Sequence, residues 1–286
     1  MSFDHEHQGY AAFCFKASST TFGYSSTYTG VDLYTLSAPA GITSFYTSSR
    51  QQTAAPGGQA VGSSNGPGSP HALLWNGSST AVDLNPTNLN GFNGSYAYGT
   101  NGTQQVGYGQ GPTTAQHALL WNGSGIATDL HPSGFTYSGA FGTNGTQQVG
   151  YGVRPNNAVD ALLWNGTSTA IDLNPTNLSG ITTSCAYSTN GIQQVGYGSG
   201  PGTGSNAHAL LWNGNSTAID LNALLPAGFT SSDAWSLDAA GNVFGTALDT
   251  SGNTHAIEWA VPEPTGLSLI AFGAAVLLAR RRRVAA

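Results

Sequence analysis

The sequence predicts an all-β protein assembled from repeats, on the strength of three observations. Five of the six tryptophans recur about every 45 residues, a spacing within the range of propeller blades. Asn-Gly pairs recur at two fixed places in the repeat, and short segments rich in apolar and β-branched residues separate them. The recurring tryptophans are Trp75, Trp121, Trp164, Trp212 and Trp259. Together these features are typical of short antiparallel strands linked by hairpins.

Each Asn-Gly pair predicts a tight hairpin, because a type I′ turn needs positive φ at both central residues and Asn and Gly adopt it at the least cost. One set of pairs follows four of the tryptophans, at 76–77, 122–123, 165–166 and 213–214. A second set lies at 101–102, 144–145 and 190–191. Two hairpins in each repeat give a four-stranded antiparallel meander, which is the blade of a β-propeller.

The second unit contains the four expected strands, at residues 81–84, 96–100, 104–108 and 117–121. The hairpins leave two places where one blade can end and the next begin. The division falls either in 85–95 and its equivalents or in 109–116 and its equivalents.

The number of blades depends on this division. If blades divide at 85–95, the last blade ends at Trp259 without its fourth strand. The sequence Val31-Asp32-Leu33 can supply that strand, which closes a ring of five blades. The alternative is an open β-solenoid of stacked meanders.

A histidine and an aspartate recur in the repeat, and two hypotheses account for them. They are metal ligands or an acid/base pair, or they are partners in a buried hydrogen-bond network within each blade. We favour the network, because buried polar groups need partners and a residue repeated in every blade does the same task in each. Asp160 replaces the histidine in one unit, which argues against a metal site. The recurring residues are His71, His117, His208 and His255, with Asp83, Asp129, Asp172 and Asp220.

The aromatic residues of the repeat predict packing between blades. Each tryptophan can bury on the order of 200 Å². The Val-Gly-Tyr-Gly phrases at 106–109, 149–152 and 195–198 indicate a crowded strand near the axis, or a bulge. Their tyrosines, Tyr108, Tyr151 and Tyr197, can stack on sugars if they are exposed, but packing is the favoured interpretation.

The charge of the chain limits its partners. Only 7% of the residues are charged and the formal net charge is −6. Four of the seven basic residues stand together at 280–283, so the remainder of the chain is acidic in balance. Such a surface repels phosphate backbones, which excludes nucleic acid as a partner. The sequence assigns no catalytic residue, no metal ligand and no cofactor.

The chain divides into an irregular segment at 1–29, the repeat domain at 30–260 and a C-terminal segment at 261–286. The last of these contains Pro262, Glu263 and Pro264, then residues 265–279 without any charge, then Arg280, Arg281, Arg282 and Arg283. A helix over 265–279 is about 22 Å long, and flanking residues or local thinning of the bilayer can match it to the membrane. The arginines stay cytoplasmic, which places the repeat domain outside.

This C-terminal order closely resembles the PEP-CTERM sorting signal of Gram-negative bacteria. The resemblance implies that an exosortase-type membrane protease recognises Pro262, Glu263 and Pro264. The protein then passes from the inner membrane to the cell surface or extracellular matrix. Such proteins also carry an N-terminal signal peptide, and no basic start with an apolar run follows Met1. We therefore expect a mis-assigned start or a truncated chain.

Residues 31–259 resemble the HAF repeat family of extracellular bacterial proteins, which is named for a His-Ala-Phe triplet. This chain has His-Ala-Leu at the same place, followed two residues later by tryptophan. The resemblance implies an exported repeat protein and no known reaction.

The sequence therefore predicts an exported, non-enzymatic surface or matrix protein that associates with exopolysaccharide in a biofilm. The alternative is a propeller enzyme that acts on polysaccharide in the manner of a glycosidase. It requires that Asp233, Asp238 and Asp249, which break the repeat pattern, meet within about 5–10 Å. A third option is a structural filler without any ligand.

Overall fold

The structure, a computed structural model, describes residues 15–18, 44–47, 59–64, 68–77, 80–111 and 115–260. These residues form twenty β-strands and two short 3₁₀ turns, and they contain no α-helix. The architecture is all-β, a propeller-like array of five antiparallel sheets. The C-terminal segment 261–286 and the sequence Val31-Asp32-Leu33 lie outside the described residues.

Each sheet is a meander of strands that are consecutive in the chain. The first sheet contains β1 (Phe15–Ser18), β2 (Ser44–Thr47), β3 (Gln59–Ser64), β4 (Ala72–Asn76) and β5 (Val82–Asp83). The second contains β6 (Gly94–Thr100), β7 (Gln105–Gln110), β8 (His117–Trp121) and β9 (Ala127–Asp129). The third contains β10 (Tyr137–Thr143), β11 (Gln148–Val153), β12 (Val159–Trp164) and β13 (Ala170–Asp172). β1 falls within the segment 1–29 and extends the first sheet to five strands.

The last two sheets differ in their number of strands. The fourth contains β14 (Thr183–Thr189), β15 (Gln194–Ser199), β16 (His208–Trp212) and β17 (Ala218–Asp220). The fifth contains β18 (Phe229–Leu237), β19 (Val243–Asp249) and β20 (Thr254–Trp259). The 3₁₀ turns are Pro201–Thr203 and Asn222–Leu224.

The sheets divide at the first of the two places that the hairpins allow. β5 ends at Asp83 and β6 begins the next sheet at Gly94, whereas the 109–116 connection joins two paired strands of one sheet. With this division the fifth sheet has three strands and ends at Trp259, as the sequence predicts.

The Asn-Gly hairpins are confirmed, but their predicted turn type is wrong. The β6–β7 hairpin closes at the pair Thr100–Gln105, and Gly102 alone of its loop residues has positive φ, 95°. The Oδ1 atom of Asn101 instead accepts hydrogen bonds from the backbone N–H groups of Thr103 and Gln104, at 3.1 and 2.8 Å. Asn144 and Asn190 make the same contacts. Asparagine therefore serves these turns through its side-chain oxygen and not through a left-handed backbone.

A close backbone approach requires glycine in the second strand of the blades. The first strand contains a β-bulge next to the point of contact, between Ala140 and Gly142 in the third sheet. A Cβ on Gly150 would lie 2.0 Å from the carbonyl oxygen of Gly139. The equivalent distances at Gly107 and Gly196 are 1.8 and 1.9 Å. The crowded strand that the Val-Gly-Tyr-Gly phrases indicate is therefore present, whereas the bulge lies in the neighbouring first strand and not in the strand of these phrases.

The tryptophans pack across the junctions between sheets, as predicted. Trp121 of the second sheet is fully buried against Val61, Leu74 and Leu84 of the first. Trp164 and Trp212 occupy the same place at the next two junctions. The indole N–H groups of these three tryptophans are buried and have no hydrogen-bond partner among the described residues. Apolar burial therefore accounts for their contribution to stability.

Extensive contacts join each sheet to the next sheet along the chain. The first strands β6, β10, β14 and β18 also contact one another in turn, which identifies them as the inner strands of the array. Among the strands that the structure describes, the fifth sheet makes no comparable contact with the first.

We expect Gly150→Ala to lower the free energy of unfolding by about 3 kcal/mol or more, because the added Cβ must displace the backbone of β10. Gly123→Ala is the control, since Gly123 has a φ of 82° and open space around it. There the cost is backbone strain alone, about 1–2 kcal/mol. Urea unfolding followed by tryptophan fluorescence measures both variants. Equal losses would contradict the close approach.

Candidate functional site

The recurring histidine and aspartate form a pair in three of the sheets. The pair joins the start of the tryptophan strand to the end of the short strand after it, which is called the fourth strand in every sheet (β5, β9, β13 and β17). Histidine Nδ1 lies 2.8–2.9 Å from aspartate Oδ2. The pairs are His71–Asp83, His117–Asp129 and His208–Asp220. The other carboxylate oxygen accepts the backbone N–H of the residue two positions later in every case. Both carboxylate oxygens are therefore occupied by the fold.

This pair is one part of a polar circuit that connects neighbouring sheets. At the first junction the N–H of Ala72 donates to Oγ of Ser95, at 3.0 Å, and that hydroxyl donates to Oδ1 of Asn85, at 2.9 Å. Ser95 belongs to the second sheet and is fully buried. Ala72 belongs to the first sheet, and Asn85 lies in the connection between the two sheets. The same contacts recur at Ala161–Ser184–Asn174 and Ala209–Ser232–Asn222.

The predicted hydrogen-bond network is therefore present, but its expected burial is wrong for the histidine and aspartate. The side chains of His71 and Asp83 are 35% and 49% exposed. The pairs lie at the ends of strands, where water reaches them. The other two pairs are also partly exposed, and among the polar side chains of the circuit only the serine is fully buried. No group of three or more His, Cys, Asp or Glu side chains within the described ranges is arranged to hold a metal ion.

The junction between the second and third sheets departs from the repeat at His131, which occupies the position of Asn85. Its Nδ1 lies 2.8 Å from Oγ of Ser138, and its Nε2 lies 3.1 Å from the carbonyl oxygen of Phe135. Because a carbonyl only accepts, Nε2 carries the proton and Nδ1 accepts from the serine. Burial and the neighbouring His117, whose ring stacks at 3.9 Å, lower the pKa of His131. A neutral histidine thus replaces the asparagine oxygen.

The third sheet departs from the repeat at Asp160, which occupies the histidine position. Arg154 donates from Nε to Asp160 and from Nη2 to Asp172, so one guanidinium bridges the two carboxylates. Burial, and then the nearby Asp172, raise the pKa of Asp160, while Arg154 opposes the shift. Arg154 also lies over the ring of Phe135, with Cζ 4.8 Å from its centroid. The arginine replaces the histidine as the partner of the fourth-strand aspartate.

A cleft of about 500 Å³ lies between the third sheet and the connection that leads into it from β9, and His131 and Arg154 line it. Its walls include His131, Phe135, Arg154 and Asp172. Both ring nitrogens of His131 are engaged, and Arg154 bridges Asp160 and Asp172. The titratable side chains that line the cleft among the described residues, His131, Arg154 and Asp172, are therefore all held in hydrogen bonds of the fold.

A row of aromatic rings follows the inner strands. Tyr98, Phe141, Tyr187 and Trp235 occupy equivalent positions of β6, β10, β14 and β18. Successive ring centroids lie 5.4, 5.8 and 4.8 Å apart. Tyr108, Tyr151 and Tyr197 of the second strands pack against the same row. The packing prediction for these tyrosines is confirmed, and burial raises the pKa of Tyr108.

The three aspartates that break the repeat do not meet. Asp238 lies in the β18–β19 turn, where its carboxylate accepts from the N–H and the amide of Asn242. Asp249 lies at the far end of β19, about 20 Å away, and accepts from Ser251 and Asn253. Asp233 lies within β18, where burial raises its pKa to about 6. The condition set for the glycosidase alternative is therefore not met.

Sequence reasoning missed a second polar circuit, made by the Gln-Gln pairs. At the junction of the second and third sheets, Oε1 of Gln104 accepts from Thr143 at 3.0 Å and from Gln148 at 3.1 Å. Gln148 in turn accepts the N–H of Gly166 in the next hairpin. The signal was present, because Gln-Gln recurs at 104–105, 147–148 and 193–194.

The predicted sorting residues Pro262, Glu263, Pro264 and Arg280–Arg283 lie outside the described residues. The same holds for the expected membrane span at 265–279. Within the described ranges no helix is long and apolar enough to cross a membrane.

We expect His131→Asn to remove part of the pH dependence of stability. An unfolded histidine has a pKa of about 6.5, and that of His131 is lower in the fold. As the pH falls below about 6.5, the unfolded chain binds the proton before the folded chain does. His131 therefore lowers the free energy of unfolding as the solution becomes more acidic. Urea unfolding at pH 8 and pH 5 measures the loss, which should be smaller in the variant. All other histidines are unchanged, so an equal loss would contradict the assignment.

Comparisons with known proteins show no family. No protein-family model and no curated protein matches the chain. A structure assigned as TolB from Agrobacterium tumefaciens is 12% identical, with a TM-score of 0.44 over 69% of this chain and 76% of that one. The BP39L lectin from Burkholderia pseudomallei is 12% identical, with a TM-score of 0.37 over 78% of this chain and 72% of that one.

Proposed function

We propose that this chain is an exported, non-enzymatic protein of the cell surface or extracellular matrix. The observation that carries the proposal is the C-terminal order of Pro262-Glu263-Pro264, an uncharged span at 265–279 and four arginines at 280–283. An uncharged span followed by a basic cluster holds a chain in the membrane with its C-terminus in the cytoplasm. An exosortase-type protease is the proposed transient partner at the Pro-Glu-Pro motif.

The described residues support a role without catalysis. The repeated histidines and aspartates bind one another and the backbone, and Asp238 and Asp249 are engaged in separate turns. Catalysis by general acid and base needs a positioned pair of groups that can exchange protons with a substrate. The polar side chains that recur in the repeat are committed to contacts within the sheets and to the junctions between them.

The surface suits weak contact with a neutral, hydrated polymer. Only 7% of the residues are charged, so long-range attraction of an ionic partner is weak. The same position of each fourth strand is exposed, and it is occupied by Val82, Thr128, Ile171 and Ile219. Several equivalent weak contacts on one rigid array add up to useful avidity. We propose exopolysaccharide as the polymer.

The sorting proposal is tested in a Gram-negative host that has an exosortase, with the chain placed behind a Sec signal peptide. We expect cleavage near residues 262–264 and release of the repeat domain to the surface or medium. Replacement of Pro262, Glu263 and Pro264 by alanine should leave the uncleaved chain in the inner membrane. Glu258→Ala, a nearby exposed glutamate on β20, is the matched control and should be released normally.

Membrane fractionation and the mass of the released protein report the outcome. Release of the triple-alanine variant at the normal mass would contradict the sorting proposal. The polymer partner is tested with the same released protein. We expect it to stay with cells that produce exopolysaccharide and to appear in the medium of a strain that makes none. Equal retention by both strains would support the structural filler instead.

A further inference from the structure

The tryptophan strand β20 stands at the edge of the fifth sheet, whereas in the other four sheets a fourth strand covers the equivalent strand. In each of the first four sheets the tryptophan strand pairs on both sides, with the strand before it and with a short fourth strand after it. β20 pairs with β19 alone among the described strands. Four of its six residues are exposed, whereas none of the equivalent β16 is. Within the described part of the chain, the outer N–H and C=O groups of β20 therefore have no strand partner.

The fourth strands share a sequence and a set of contacts. Each reads Ala, then Val, Thr or Ile, then Asp-Leu. The leucine is buried, and its N–H donates to the carbonyl of the alanine that follows the histidine, at 2.8–2.9 Å. In three of the sheets the aspartate binds Nδ1 of that histidine, whereas in the third sheet Asp160 stands at the histidine position and Asp172 binds Arg154. The leucines are Leu84, Leu130, Leu173 and Leu221.

β20 retains the groups that receive such a strand. It begins with the same His-Ala pair, His255 and Ala256. His255 binds Asp249 of its own sheet through Nε2, at 2.9 Å. Its Nδ1, the atom that binds the fourth-strand aspartate elsewhere, makes no hydrogen bond to another described residue.

The chain contains one more copy of the fourth-strand sequence, Gly30-Val31-Asp32-Leu33. Its distance from the first sheet also fits. Ten residues, 84–93, connect β5 to β6, and eleven, 33–43, separate Asp32 from β2. The copy thus stands before β2 at about the spacing at which the other fourth strands stand before the first strand of the next sheet.

We propose that residues 30–33 pair with β20 as the fourth strand of the fifth sheet. The carboxylate of Asp32 then binds Nδ1 of His255, and the N–H of Leu33 donates to the carbonyl of Ala256. The register of β16 and β17, in which Leu211 faces Ile219, places Val31 opposite Glu258. The two ends of the repeat domain meet in one sheet, and the five sheets form a ring.

The test is disulfide formation in the double variant Val31→Cys, Glu258→Cys of the full chain, with Cys14→Ser and Cys185→Ala. Directly opposed residues of antiparallel strands bring their Cβ atoms close enough for a disulfide. Leu211→Cys with Ile219→Cys is the positive control, because that register is described. Val31→Cys with Ile257→Cys is the matched negative control, since its side chains point to opposite faces.

Mass spectrometry and non-reducing electrophoresis after mild oxidation report the outcome. We expect one disulfide within a monomer for the 31–258 pair and for the positive control, and free thiols for the 31–257 pair. Free thiols at 31 and 258 alongside an oxidised positive control would overturn the proposal. A disulfide between two chains would also overturn it, because a second copy would then occupy the edge. Equal oxidation of the 31–257 pair would overturn the register.

Discussion

The array of sheets depends on a buried serine hydroxyl that is repeated at each described junction. Ser95, Ser138, Ser184 and Ser232 stand at one position of the inner strands, and each accepts an alanine N–H of the preceding sheet. The tryptophan clusters bury apolar surface at these junctions, but apolar contact does not specify direction. The serine hydroxyl specifies the direction, because a buried N–H without a partner costs about 1–3 kcal/mol. One small polar contact therefore fixes how each sheet meets the next.

This dependence explains why repetition gives little evidence of chemistry in this chain. The histidine, aspartate, asparagine and serine of the repeat form one circuit, and the glutamines form another on the same junctions. Where the circuit changes, the substitutes keep its connections. His131 accepts from Ser138 as an asparagine does elsewhere, and Arg154 binds the fourth-strand Asp172 in place of a histidine. The proposal for function therefore comes from the C-terminal segment and from the surface.

The repeat could be predicted from the sequence because tryptophan, Asn-Gly and His-Asp recur at fixed spacing. The sheets, the hairpins and the pairing of His71 with Asp83 followed from it. The turn type of the Asn-Gly hairpins did not follow from the repeat, because the asparagine side chain competes with the backbone as the hydrogen-bond acceptor. The exposure of the His-Asp pairs was not predicted either, because it depends on their place at the strand ends. The role of His131 was missed because it stands 7 positions before Ser138, whereas Asn85 stands 10 positions before Ser95.

The most direct test of this account is a double-mutant cycle on Ser184 and Asn174 at the junction of the third and fourth sheets. Ser184→Ala should lower the free energy of unfolding by about 1–3 kcal/mol, because the N–H of Ala161 is left buried without a partner. Once Ser184 is alanine, Asn174→Ala should cost less, giving a coupling of about 1 kcal/mol in urea unfolding. Additive losses, or a loss at Ser184 no larger than at the exposed Ser168, would contradict the claim that the serine circuit joins the sheets.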